Sequence, residues 1–127
     1  MESVIIAAPH AYHMKMRERL TAQWTVSEGK DGILVVEDGN NRAYLARNDF
    51  VKTEMEPEKL RDIHAAIRDP VFYSLDFSNI ELCRKILTTI ADDPDVFVDN
   101  DHGVILPGSE FVRVLQSRKD WDWRSST

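Results

Sequence analysis

A single cysteine, Cys83, leaves the 127-residue chain without an internal disulfide and without the paired-cysteine spacings of structural zinc sites. That usage suits a reducing compartment, and the expected location is cytoplasmic. Five glycines and five prolines are too few for a collagen-like or low-complexity chain. Long hydrophobic runs are missing: Val4-Ile5-Ile6-Ala7-Ala8 is stopped by Pro9 and has no basic flank before it. It is too short for a signal-peptide core or a membrane span, so no membrane association is expected. Positive charge is scarce as well, 16 Lys and Arg against 22 Asp and Glu for a net charge of −6. Nonspecific nucleic-acid binding needs a basic face, so no nucleic-acid partner is expected. Phosphate-loop, dinucleotide-fingerprint, nucleophile-elbow and His-Glu-x-x-His patterns are all absent, and the sequence calls for no cofactor.

What is present is a globular composition, 43% hydrophobic and 30% charged. It predicts one core and one domain, residues 1–120, followed by a polar C-terminal tail, 121–127. The β-branched run at 3–8 reads as a buried strand. Residues 10–20 read as a helix, with Tyr12, Met16 and Leu20 on one stripe. Alternation and turn residues then give a three-stranded antiparallel meander over 23–48. Pro57 suits a first helical position, and Leu60, Ile63, His64 and Ile67 form a stripe that predicts a core-facing helix with His64 among its buried residues. A strand follows over 71–77. Ser78-Asn79-Ile80-Glu81 has the spacing of a capping box opening a helix to about residue 91. Two short strands over 95–99 and 103–106 come next, and 110–116 fits a short helix or an edge strand, with helix preferred. The expectation is an α+β domain with a mixed, largely antiparallel sheet: strand and helix, meander, then alternating helices and strands with βαβ-like connections.

The chemically distinctive stretch runs from Asp92 to Gly103, with five carboxylates in ten positions. No Lys or Arg occurs between Lys85 and Arg113. An EF-hand is the first comparison, and counting from Asp99 does place Glu110 at the twelfth position. The required glycine is out of register at Gly103, however, and residues 104–107 supply no side-chain ligands, so no metal site is assigned. Two readings remain: turn chemistry, or an acidic patch formed by Asp93, Asp95, Asp99 and Asp101 that meets a basic partner. Trp121 and Trp123, two apart in the tail, either dock on the chain's own surface or add an aromatic anchor to that interface. His10 and His13 share a helix face but have no visible third ligand, and Cys83 falls on a buried stripe.

Three functions follow. The first is a non-enzymatic protein-binding module with partner-binding residues Asp93, Asp95, Asp99, Asp101, Trp121 and Trp123 and no catalytic residue. In size, acidity and lack of catalytic motifs it resembles the broad class of small inhibitors to which toxin-immunity proteins belong. The second is a small enzyme or ligand-binding protein with a site at strand ends near Asp76, Asp99 and His102, with Tyr73 beside them. The third is a homo-oligomeric adaptor joined through a meander edge or the tryptophan tail.

Overall fold

A computed structural model describes residues 2–100, 104–118 and 123. In chain order the elements are β1 (Glu2–Ala8), α1 (Tyr12–Thr21), β2 (Thr25–Glu28), β3 (Leu34–Asp38), β4 (Asn41–Arg47), α2 (Val51–Glu54), α3 (Pro57–Ala66), β5 (Val71–Phe77), α4 (Ile80–Ile90), β6 (Phe97–Asp99), β7 (Ile105–Pro107) and α5 (Gly108–Ser117). One sheet takes all seven described strands in the order β2-β3-β4-β5-β1-β6-β7, and every pairing is antiparallel. The expected α+β domain and its meander are both present. Because β5 and β6 each run antiparallel to β1, they are parallel to one another with β1 between them. The helix that joins them, α4, completes a split βαβ unit. The βαβ-like connection is therefore real, although no two neighbouring strands are parallel.

Period-two alternation divides the sheet into two unlike faces. Val4, Ile6 and Ala8 of β1, with Tyr73, Leu75 and Phe77 of β5 and Val98 of β6, belong to the main core. That core is closed by Tyr12, Met16 and Leu20 of α1, by Leu82, Cys83, Ile86, Leu87 and Ile90 of α4, and by Phe111 and Leu115 of α5. The opposite face carries a smaller cluster in which Ala7 and Phe72 meet Val51, Ile63 and Ile67, with Leu60, Phe97 and Ile105 partly buried against it. Helices α2 and α3 thus cover only part of this second face.

Local chemistry explains the element ends, with three departures from the sequence reading. Asn79 rather than Ser78 caps α4, its side chain accepting the Leu82 N–H at 2.9 Å while Ser78 is exposed. His64 is exposed, because α3 packs through Leu60, Ile63 and Ile67 and the next position after Ile63 turns about 100° away from the sheet. Trp123 is only 1% exposed, packed against Phe77 and Phe111 with ring centroids 6.0 and 6.2 Å away. The 110–116 stretch is helical, as preferred, and α5 begins two residues earlier, at Gly108.

Candidate functional site

The second sheet face is apolar at one end and polar at the other. Phe72, Ala7 and Phe97 lie side by side across β5, β1 and β6 and are covered by Val51 and α3. One step further along this face Ser74 and Asp99 flank Ile5 of β1, and a second step brings Ser3 opposite Asp76, so four of these five positions are polar. Ser74 is 8% exposed, a polar residue in the middle of a central strand. A fold selected for packing alone would place β-branched or aromatic residues at these positions.

The polar end opens into a cleft of about 460 Å³ lined by Ser3 and Ile5 of β1, Asn48, residues of α2 and the α2–α3 turn, Ser74 and Asp99. Its floor is ordered by side-chain hydrogen bonds. Ser3 Oγ donates to Asp76 Oδ1 at 2.5 Å, and Asn48 Nδ2 donates to Ser74 Oγ at 2.8 Å. Asn48 is itself pinned, its N–H donating to the Phe72 carbonyl at 2.8 Å and its Oδ1 accepting the Phe50 N–H at 3.1 Å. The cleft carries charge: Glu54, Glu56 and Asp99 are carboxylates, and Lys59 is the one cation among the lining residues. Glu54, Glu56 and Lys59 make no ion pair among the described residues. The balance of the cleft is negative, so it favours a cationic guest. Phe50, 77% exposed, stands between the lining residues Asn48 and Val51 in the chain.

The residues singled out from sequence separate into different surroundings. Asp99 lines the cleft. Asp93 and Asp95 belong to the α4–β6 turn, where Asp93 Oδ1 accepts the Asp95 N–H at 2.8 Å; here the turn chemistry is plain. Asp95 is exposed and Asp93 partly so. Asp101, His102 and Trp121 lie outside the described residues. Trp123 belongs to the main core, so it is withdrawn as a partner-facing residue: it docks on its own domain, and Asn100 Nδ2 holds its carbonyl at 2.6 Å. Asp76 sits on the cleft side of β5 rather than toward the start of α4, bound by Ser3. Tyr73 points to the other face, stacked on His13 with centroids 6.1 Å apart, and does not converge with Asp76 and Asp99. Burial pushes the Tyr73 phenol above its ordinary value, with Arg47 opposing.

Sequence reasoning missed Ser3, Asn48, Glu54, Glu56 and Lys59, and offered Ser74 only as a nucleophile for His102. The 48–56 stretch reads as a connector, yet it carries a helical turn and three of the lining carboxylates and amides. A signal is present in β5, where Ser74 and Asp76 interrupt an otherwise apolar strand and share one face. Among the described residues no three His, Cys, Asp or Glu side chains converge on a metal position. No described helix is long and apolar enough to cross a membrane. Comparison with known protein families, with curated proteins and with solved structures gives no match.

Proposed function

We propose that this chain is a non-enzymatic binding module whose acidic cleft receives a basic side chain, Lys or Arg, of a partner protein. The observation that carries the reading is the polar half of the second sheet face, which α2 and α3 leave uncovered and which the carboxylates of Glu54 and Glu56 wall. Asp99 supplies charge at the floor. Ser3 and Ser74 line the cavity as hydroxyls already held in place by Asp76 and Asn48. A guanidinium or ammonium is matched by such acceptors, and charge-assisted hydrogen bonds are the strong ones. A protein rather than a free amine is favoured by Phe50, an exposed aromatic beside the cleft of the kind that anchors interfaces. The acidic turn with Asp93 and Asp95 then adds long-range attraction rather than contact, raising the association rate.

The test uses argininamide as a minimal probe, followed by calorimetry and by amide shifts at Ser3, Asn48 and Ser74. Asp99→Asn combined with Glu54→Gln should weaken binding roughly tenfold, about 1.4 kcal/mol, whereas Asp93→Asn with Asp95→Asn should change it by less than about twofold at physiological salt. Equal binding of citrulline amide, which has the shape without the charge, would overturn the proposal.

A further inference from the structure

The opposite, helical side of the molecule carries a second concavity with the reverse charge. A groove of about 790 Å³ runs over α4, lined by Arg84, Lys85, Thr88 and Thr89, between Arg19, Ala22 and Gln23 at the end of α1 and Leu115 and Gln116 of α5. Three cations and no carboxylate line it, in a chain of net charge −6. Both arginines are held in place by aromatic rings. Arg19 sits 5.7 Å over the Tyr12 ring and donates to the Tyr12 hydroxyl at 2.8 Å. Arg84 sits 5.6 Å over the Trp123 ring and donates to the Leu115 carbonyl at 3.2 Å, with Glu81 3.8 Å from its Nε. Ordering a long side chain before the ligand arrives removes part of the entropy cost of binding. Lys85 is exposed and makes no ion pair among the described residues.

The floor between these charges is mainly apolar. Thr88 and Thr89 turn their hydroxyl protons back to the carbonyls of Arg84 and Lys85, each at 2.9 Å. Thr89 Oγ1 also accepts from Gln23 Nε2 at 3.3 Å, and around these spent hydroxyls lie Ala22, Leu115 and the aliphatic stems of Arg84 and Lys85. Inorganic phosphate would leave that floor uncovered, and a neutral hydrocarbon would leave the cations unmatched.

We propose that this groove binds an amphipathic carboxylate, a small organic acid with a hydrocarbon body, whose anion is held by Arg19 and Lys85 and whose chain lies over Thr88, Thr89 and Leu115. The site lies on the face of the sheet opposite the acidic cleft and stands independently of it.

Octanoate below its micelle concentration is the probe, titrated by calorimetry and by amide shifts across α4 and α5. Saturable binding is expected, with the largest shifts between Arg84 and Thr89. Arg19→Gln combined with Lys85→Gln should weaken it at least tenfold, while Glu54→Gln in the opposite cleft should leave it unchanged. Octan-1-ol and inorganic phosphate should each bind at least tenfold more weakly than octanoate. The proposal is overturned if octanol binds as tightly as octanoate, if the double variant binds normally, or if octanoate shows no saturable binding. Retention on anionic phospholipid vesicles in the absence of octanoate binding would overturn it too, assigning the cations to a membrane surface instead. Thermal melts of both variants check that the fold is intact, since none of the three substituted side chains belongs to the core.

Discussion

Gly108 shows how one residue can be fixed by what its side chain would hit. It opens α5 against the end of α4, and a Cβ there would lie 1.9 Å from the Ala91 carbonyl oxygen and 3.0 Å from that of Asp93. Both obstacles are backbone, so no rotamer change relieves them. Its N–H donates to the Val96 carbonyl at 2.5 Å, which ties the helix start to the strand side of the α4–β6 turn. Gly108→Ala should therefore destabilise the protein by about 3 kcal/mol or more, as overpacking against rigid backbone does. Urea denaturation reads it directly, and a loss under about 1 kcal/mol would mean that the α4–α5 junction yields more easily than its contacts imply. Asn100 works nearby in the opposite sense, by supplying atoms. It is 1% exposed, its Oδ1 accepts the Val104 N–H at 2.9 Å, and its Nδ2 reaches the Trp123 carbonyl. In the sequence it is one more turn residue in an acidic run; in the fold it fastens Trp123.

At the scale of elements, the cap of α4 separates two descriptions that differ by one residue. Asn79→Ala removes the acceptor of the Leu82 N–H and should cost about 1 kcal/mol. Ser78→Ala, at the position that the capping-box spacing would favour, should stay within about 0.5 kcal/mol. The reverse ranking in thermal melts would restore the box. Much else is legible in the residues themselves: the meander, both long helical stripes of α1 and α4, and the strand β5 all follow from periodicity. Strand order is not, because β1 finds its neighbours through side-chain burial on two faces far along the chain. The cleft is half legible. Asp76 and Asp99 stand out as carboxylates at strand ends, whereas Glu54, Glu56 and Lys59 join them only because α2 and the α2–α3 turn fold over the second face, a tertiary fact with no local signature. His64 misleads for the same reason: its stripe is real, but the helix uses only one side of it.

Across the whole molecule, the titrating groups in the core all lean the same way. Burial raises Cys83 well above its ordinary value of 9.0, and raises Tyr12 and Tyr73 above theirs of 10.0. For Tyr12, burial outweighs the opposing Arg19, and Asp93 adds to it. The folded state thus holds these protons more tightly than the unfolded chain. Their contribution is complete below the ordinary values and is lost as pH climbs above them. Stability should begin to fall near pH 9, the ordinary value of Cys83, and fall more steeply beyond 10, that of the tyrosines. Urea melts on either side of those two values test the order of loss, and Cys83→Ala should delay the onset toward the tyrosine range. A profile that stays flat through the tyrosine range would show that the three groups titrate freely in the native state. The central place of β1 has a further consequence, for synthesis. Ile5 pairs with Ser74 on one edge and with Asp99 on the other, so the two edges of β1 stay open until β5 and β6, far along the chain, have been made. The meander can close from local pairings long before that. Until α4 and β6 arrive, a strand that is apolar on both faces waits with unpaired amides. The nascent chain is therefore more prone to wrong pairing at β1 than at the meander.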